Sequence, residues 1–350
     1  MLRRIAPAAL IGAALLLGGC QQPHAHFGEP GEPLARAGDE IMVCGHLYHT
    51  GAPVVLWTDR GGYDAYRAHC HFKPDEVYPA KAGKNPSAQR YGTFRRHLPP
   101  EVTADVASNG WSLPELQEYV DLFVLHYDVC GVSRQCFKVL QDMRGLSVHF
   151  MLDLDGTIYQ TLDLKERAWH AGSANDRSVG VEIANIGAYP NMNTLDKWYG
   201  HDADGRTYVT LPRWLGDGGM RTKGFVARPA RNAPVVGEVQ GKEYRQYDLT
   251  DAQYASLIKL TATLCQVLPR IRADYPRDAE GALRTSALSD EELAQFSGVL
   301  GHYHITTRKI DPGPALDWDR LMRGVHRALH RQGDTNRVVS RGMHGGNPER

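Results

Sequence analysis

Short apolar runs alternate with segments of helical periodicity through residues 111–331 of this 350-residue chain. This alternation predicts an α/β fold, because apolar strands need helices to cover the faces of their sheet. Asp153–Gly156 predicts a hairpin turn, and Ser112 with Glu115 and Thr250 with Gln253 are patterns that cap helix starts. We expect strands at 122–125, 148–152, 157–162 and 178–185, and helices at 133–143, 250–268 and 316–330.

The segments outside this alternation differ from it in composition. Residues 39–110 are rich in turn residues and contain one strand-like run at 54–57, which predicts an N-terminal subdomain. Residues 187–248 combine aromatic residues, Gly and Pro with only short strand-like runs, so we expect a loop-rich insertion in the main domain, 111–331. Residues 21–38 predict a linker, and the polar, Gly-rich residues 332–350 predict a disordered tail.

Residues 1–20 have the pattern of an export signal. Two arginines precede the apolar run 5–17, which is shorter than the roughly 20 residues of a membrane-spanning helix. The run ends in Leu-Gly-Gly-Cys and resembles a bacterial lipoprotein signal, in which Cys20 would be lipidated. Gln21 stands where inner-membrane lipoproteins usually carry Asp, so we expect a lipid anchor on the periplasmic face of the outer membrane. The alternative is a cleaved signal with an incidental cysteine.

The five other cysteines suit the oxidising periplasm. Cys130 and Cys136 flank a polar turn and are the favoured disulfide pair, worth about 2 kcal/mol by loop entropy. A bond between Cys44 and Cys70 is a weaker alternative, because connectivity cannot be deduced from spacing. Cys265 lies on the apolar stripe of a predicted helix, where we expect a small buried hydrophobe.

The strand at 178–185 has two unlike faces. Val179, Val181 and Ile183 share the apolar face, whereas the other face carries small residues and one acid, Glu182. Small residues pack a core poorly, so this face indicates an open space into which Glu182 points. A solvated outer face with a surface glutamate is the alternative interpretation.

Two histidines follow apolar runs at which strands are expected to end. His126 directly follows the apolar run 122–125, and His302 directly follows Val299-Leu300-Gly301. Asp311 lies nine residues beyond His302 in a turn rich in Pro and Gly. Sites in α/β sheets lie beyond the carboxyl ends of strands, and two imidazoles with one carboxylate suit zinc. Spacing alone leaves open whether the three residues meet. His46 and His49 form a further, weaker candidate pair.

Four segments resemble the type 2 N-acetylmuramoyl-L-alanine amidases, which share their fold with the peptidoglycan recognition proteins. They occur in the family's order at 124–127, 146–172, 178–187 and 301–318. The resemblance implies a mixed central β-sheet flanked by helices. It also implies a Zn²⁺-dependent hydrolase that cuts the amide bond between N-acetylmuramic acid and L-alanine in peptidoglycan or its fragments.

The resemblance also implies roles for individual residues. The zinc ligands would be His126, His302 and Asp311. The catalytic residues would be Glu182, which activates water, and Lys309, which stabilises the oxyanion. The substrate-binding residues would be Trp169, His170 and Asn185. The spacing of Cys130 and Cys136 also resembles the disulfide of the recognition proteins.

Some positions depart from the family's pattern. His304 stands where many relatives have Asp, and the turn from His302 to Asp311 is one residue shorter than usual. Val148 replaces a Tyr that some relatives place beside the residue aligned with His149. We therefore keep His149 and His304 as possible ligands or as groups that support the ligands.

Two other functions remain open beside the hydrolase. One is a non-catalytic peptidoglycan receptor on the same fold, and the other is a zinc peptidase that acts on cross-linked stem peptides. Lys+Arg and Asp+Glu each total 40, and no basic tract is present, so we expect no nucleic-acid partner. The expected form is a monomer that contacts the membrane through its lipid anchor.

Overall fold

A computed structural model describes residues 30–67, 71–72 and 91–343 of the chain. The chain divides into two units, Met1–Arg36 and Ala37–Arg350, and all elements below belong to the second. The predicted signal peptide and most of the predicted linker lie outside the described residues, as do Cys20 and Cys70.

The second unit contains six helices and fourteen strands among its described residues. The helices are α1 (Pro100–Asn109), α2 (Leu113–Tyr119), α3 (Ser133–Phe137), α4 (Asp251–Val267), α5 (Asp290–Gln295) and α6 (Trp318–Met343). The strands are β1 (Glu40–Val43), β2 (His46–His49), β3 (Val54–Leu56), β4 (Tyr91–Gly92), β5 (Leu122–Tyr127), β6 (Phe150–Leu152), β7 (Ile158–Gln160), β8 (Arg167–Ala168), β9 (Ser178–Ile183), β10 (Tyr199–His201), β11 (Thr207–Val209), β12 (Val235–Val239), β13 (Lys242–Gln246) and β14 (Gly298–Gly301). A π-helical stretch, Lys138–Arg144, continues α3.

The central sheet has six strands in the order β14-β5-β9-β6-β7-β3. Strand β7 pairs antiparallel with β6, and all other neighbours pair in parallel, so the sheet is mixed. One face packs on α4 and α6 in the main core, with Phe123 of β5 and Leu257 of α4 among its members. The other face packs on α3, where Phe137 meets Met151 and Tyr159. The predicted fold class, a mixed sheet flanked by helices, is confirmed.

The local signals for helix starts are confirmed in the structure. The Ser112 hydroxyl accepts the Glu115 backbone N–H at the start of α2, and Thr250 and Gln253 form the same reciprocal cap on α4. Helix α6 continues to Met343, past the predicted end at residue 330 and into the segment predicted to be a disordered tail. Residues 332–343 are polar but contain no proline, so nothing in them forbids the helical backbone.

Residues 39–110 lie in the same unit as the rest of the chain from Ala37 onward, and the subdomain boundary at residue 110 stays a prediction. Strand β3 is the edge strand of the central sheet, in parallel register with β7. The Gln160 side chain bonds both the N–H and the C=O of Met42, and Asp163 accepts the N–H of Cys44 and of Gly45. These contacts join positions more than a hundred residues apart, which no local sequence pattern encodes.

The cysteines differ from the sequence prediction. Cys130 and Cys136 are free thiols linked by a hydrogen bond, so the predicted disulfide is absent. Burial, followed by the hydrogen bond with Cys130, raises the pKa of Cys136 well above its usual range, so Cys136 is a neutral thiol in the folded protein. Cys44 is also a free thiol, and Cys265 is partly buried at the edge of the main core.

The predicted insertion, 187–248, forms two hairpins, β10–β11 and β12–β13. The end of β13 is buried, and Gln246 there contacts the turn that follows β14. Within residues 30–67, 71–72 and 91–343, no helix is both long enough and apolar enough to span a bilayer.

Candidate active site

The parallel register brings the predicted zinc ligands to one edge of the sheet. His126 of β5 lies directly opposite Glu182 of β9, so both side chains project from the same face. Gly301 pairs with Leu125, and His302 therefore follows at the level of His126. Strand β14 and the turn beyond it are tied together by the Tyr303 N–H, which donates to the Asp311 carbonyl at 3.0 Å.

Three predicted ligands converge on one point. His126 Nδ1 lies 2.8 Å from Asp311 Oδ2, and His302 Nδ1 lies 3.0 Å from the same oxygen. One ligand atom from each residue lies within 4.8 Å of the others, and all three residues are buried. Two imidazole nitrogens and one carboxylate oxygen form a donor set that suits Zn²⁺ and leaves a fourth position for a reactant.

The protonation of this group also suits a cation. Burial lowers the pKa of His126 to about 4, so its imidazole is neutral at pH 7. Burial alone would raise the pKa of Asp311, but hydrogen bonds from His126 and His302 hold that pKa well below its usual range. A metal binds neutral imidazole and ionised carboxylate, and both forms are already present here.

The turn that carries Asp311 is held by Gln246 of β13. The Gln246 amide donates to the Pro312 carbonyl at 3.0 Å, and its oxygen accepts the Ala315 N–H at 3.0 Å. Gly313 has a φ of +82°, and a Cβ there would lie 2.8 Å from Gln246 Cδ. The insertion therefore fixes a predicted ligand through a buried amide, a role that sequence patterns did not reveal.

His170 completes the surroundings of His126. His170 Nδ1 lies 3.0 Å from His126 Nε2, so His126 has a partner for each ring nitrogen. The His170 ring occupies the space above Gly180, where a Cβ would lie 2.5 Å from His170 Nδ1. The small-residue face predicted for β9 is thus real, and the ring of His170 fills part of its space. A hydrogen-bonded outer partner of this kind orients a metal-binding histidine.

A pocket of about 150 Å³ opens beside the three predicted ligands. The two predicted catalytic residues, Glu182 and Lys309, line it, as do two of the predicted substrate-binding residues, Trp169 and His170. Burial, followed by the negative charges of Asp311 and Asp128, raises the pKa of Glu182 well above its usual range, while Lys309 opposes this shift. A carboxyl group in such a setting can hold or release a proton near neutral pH.

The predicted substrate-binding residue Asn185 forms hydrogen bonds through its side-chain amide. It is buried, and its amide donates to the Tyr247 carbonyl at 3.0 Å while its oxygen accepts the Gly187 N–H at 2.9 Å. Gln246 donates to that same oxygen at 3.2 Å. These bonds tie Asn185 to Tyr247 and to Gln246, the residue that holds the Asp311 turn, and its predicted contact with substrate stays a prediction.

The ring nitrogens of His149 and His304 form hydrogen bonds with backbone groups. His149 accepts the Gly180 N–H at 3.2 Å and donates to the Glu166 carbonyl at 2.9 Å. His304 accepts the Gly301 N–H at 2.9 Å and donates to the Arg284 carbonyl at 2.7 Å. With both nitrogens occupied, these residues support β9 and the end of β14 and have no nitrogen left for a metal.

The pair His46 and His49 lies in strand β2. Residues three apart in a strand project to opposite faces, so the two rings cannot share a metal ion without distortion. His49 instead bonds Asp39 through Nδ1 at 2.8 Å.

Asp128 is a site residue that the sequence interpretation missed. It lines the pocket and accepts the N–H groups of Cys130, Gly131 and Asn185. Burial raises its pKa to about 7, against the lowering effect of those three N–H donors. Asp128 directly follows strand β5, which carries His126, and this position was the sequence signal that could have identified it as a site residue.

Known proteins similar to this chain are amidases. The family model for N-acetylmuramoyl-L-alanine amidase (Amidase_2) matches residues 116–314. Two curated relatives are named 1,6-anhydro-N-acetylmuramyl-L-alanine amidase AmpD. The one from Haemophilus influenzae is 24% identical over 191 residues, and the one from Salmonella typhimurium is 26% identical over 189 residues. The alignments cover 54% and 53% of this chain but only 63% and 61% of those relatives, which is less than two thirds of their length.

The solved structures that resemble this chain do so weakly. AmiD from E. coli, in complex with anhydro-N-acetylmuramic acid-L-Ala-D-gamma-Glu-L-Lys, is 20% identical with a TM-score of 0.31, covering 59% of this chain and 57% of that one. A selenomethionine derivative of AmpD is 22% identical with a TM-score of 0.29, covering 61% of this chain and 86% of that one.

Fold and site together define an α/β protein with a His-His-Asp group able to bind a metal at the carboxyl ends of its parallel strands. The family match covers more than half of the chain, and the chain belongs to the N-acetylmuramoyl-L-alanine amidase family (Amidase_2). The family resemblance drawn from the sequence motifs is therefore confirmed.

Proposed function

We propose that the protein is a zinc-dependent hydrolase of the amide bond between N-acetylmuramic acid and L-alanine. The observation that carries the proposal is the convergence of His126, His302 and Asp311 beside Glu182 in one pocket. A receptor would need no acid with a raised pKa next to a donor set for a metal. Family membership supports the same reaction class.

Each group near the metal-binding cluster has a chemical task in this proposal. A bound Zn²⁺ supplies Lewis acidity, which lowers the pKa of water from 15.7 to about 7 and polarises a carbonyl. Glu182 accepts a proton from the attacking water and passes it to the departing amine of L-alanine. The Lys309 ammonium stabilises the negative charge that develops on the carbonyl oxygen. His170 orients His126, and Gln246 holds the Asp311 turn.

The proposed substrates are peptidoglycan and its muropeptide fragments. The names of the AmpD relatives specify 1,6-anhydro-N-acetylmuramyl-L-alanine, so we include anhydro fragments within the proposed range. We further propose that Cys20 carries a lipid anchor and that the enzyme acts at the periplasmic face of the outer membrane. Labelling of cells with a palmitate analogue, with Cys20→Ala as the control, tests that localisation.

Digestion of purified muropeptides tests the proposed reaction. The products are identified by mass, with and without a chelator, and with Glu182→Gln as the matched variant. We expect a free stem peptide that begins with L-alanine and a sugar with a free lactyl carboxylate. A stem peptide that binds but stays attached to the sugar would indicate the receptor. Cleavage within the peptide, with L-alanine still on muramic acid, would indicate the peptidase.

A further inference from the structure

A wider cleft of about 640 Å³ continues from the catalytic pocket. The two spaces share Trp169, His170, His302 and Lys309, so a substrate held at the metal-binding group extends directly into the cleft. Four cationic side chains line the cleft, and none of the described residues that line it is an aspartate or a glutamate. The cations are Arg96, Arg167, Arg308 and Lys309.

These cations are not equivalent. Arg167 is paired with Asp176 at 2.5 Å, so its charge is already balanced. Lys309 faces the catalytic pocket and has a role in the proposed reaction. Arg96 and Arg308 are exposed, and neither side chain forms a salt bridge with a described residue. Arg96 lies near the Asp176 carboxylate, but that carboxylate already pairs with Arg167. Two exposed guanidinium groups on the wall of one cleft attract an anion, and arginine favours carboxylates because its guanidinium can donate two parallel hydrogen bonds to them.

Arg96 is fixed in place although it lies outside the family match at 116–314. The guanidinium of its neighbour Arg95 is buried and donates to five backbone carbonyls, those of Leu164, Glu166, Asn175, Asp176 and Ser178. The Arg96 N–H donates to Asp176 at 2.7 Å, and β4 pairs with β8 just before Trp169. The N-terminal region therefore presents Arg96 to the cleft from a rigid attachment.

We propose that Arg96 and Arg308 bind the acidic stem peptide by its carboxylate and so determine substrate specificity. The inference rests on the proposed function, in which L-alanine lies at the metal-binding group. The next residue of a stem peptide such as L-Ala-D-gamma-Glu-L-Lys is a γ-linked glutamate, whose α-carboxylate is free. One residue of extended chain spans about 3.5 Å, so that carboxylate enters the cleft immediately beyond the catalytic pocket.

Two substrates that differ in one charge test the proposal. N-acetylmuramyl-L-Ala-γ-D-Glu keeps the carboxylate, and N-acetylmuramyl-L-Ala-D-isoglutamine replaces it with a neutral amide. We expect the protein to favour the acid by about tenfold in kcat/KM, the effect of one charge-assisted hydrogen bond. R96Q and R308Q should each lose about tenfold on the acid, chiefly through KM, and little on the amide. R96K keeps the positive charge but loses the two parallel N–H donors of the guanidinium, so it should retain part of the preference for the acid over the amide.

Binding provides a second readout. With Glu182→Gln as the background, R96Q should weaken the Kd for the acid by about tenfold and leave the Kd for the amide unchanged. The matched control is R272Q, since Arg272 is exposed and does not line the cleft. Equal losses on both substrates, or no preference in the unaltered protein, would overturn this inference and leave the amidase function standing. Failure of the unaltered protein to cleave either substrate would overturn the proposed function and this inference with it.

Discussion

Replacement of Gly180 with alanine tests whether His170 supports the metal-binding group. The new Cβ would lie 2.5 Å from His170 Nδ1, whereas carbon and ring atoms normally approach to about 3.5 Å. The His170 ring must therefore move by roughly 1 Å. Such a shift removes the 3.0 Å contact between His170 Nδ1 and His126 Nε2.

The size of the effect follows from two separate costs. Overpacking of a buried site costs about 1–3 kcal/mol of folding free energy. Loss of the partner that orients a metal-binding histidine weakens metal affinity by about 10–100-fold. We therefore expect Gly180→Ala to remain folded, to lose a few degrees in melting temperature and to bind zinc about 10–100 times more weakly.

Calorimetric titration of the metal-free protein with zinc measures this affinity. Gly92→Ala is the matched control, because Gly92 also lies in a strand but its nearest neighbour would be an ordinary 3.7 Å away. The control should bind zinc as the unaltered protein does. If Gly180→Ala also bound zinc with unchanged affinity, the proposed support of His126 by His170 would be refuted.

Three further substitutions test other parts of the account. Glu182→Gln should retain zinc and lose about 10²–10⁴-fold in turnover, measured by metal content and product release, and undiminished turnover would exclude its acid–base role. Gln246→Ala leaves buried polar groups near Pro312 and Ala315 without partners and should cost about 2–4 kcal/mol in urea unfolding, so an unchanged midpoint would contradict that anchoring role. Burial lowers the pKa of His149 from 6.5 to about 3, so below pH 6.5 the unfolded chain takes up a proton that the folded protein refuses. Because of this group, the free energy of unfolding should fall by about 1.4 kcal/mol for each unit that the pH drops between 6.5 and about 3. His149→Gln should reduce this dependence of stability on pH.

Much of the site could be predicted because its signals are local. The alternation along 178–185 identified the face of Glu182, and the ends of apolar runs identified His126 and His302. Each helix cap joins residues only three positions apart, Ser112 with Glu115 and Thr250 with Gln253, so the sequence alone specifies both caps. The family motifs then supplied what spacing could not, that residues far apart belong to one ligand set.

The supporting contacts could not be predicted, because they join distant segments without a repeating pattern. Gln246 contacts a turn 66 residues away, and Arg95 contacts carbonyls at least 69 residues away. Asn185 resembles a substrate contact in the motif, yet its partners come from the insertion. The Cys130–Cys136 spacing permits a disulfide, but only the packing shows that the two are separate thiols, with Cys136 buried.

The central claim is that His126, His302 and Asp311 hold a single zinc ion. Crystals of the zinc-loaded protein, measured on both sides of the zinc absorption edge, test it directly. The account predicts one anomalous peak, about 2.0–2.2 Å from one nitrogen of each histidine and from a carboxylate oxygen of Asp311. A peak bound elsewhere, or none at this position at full zinc occupancy, would contradict it.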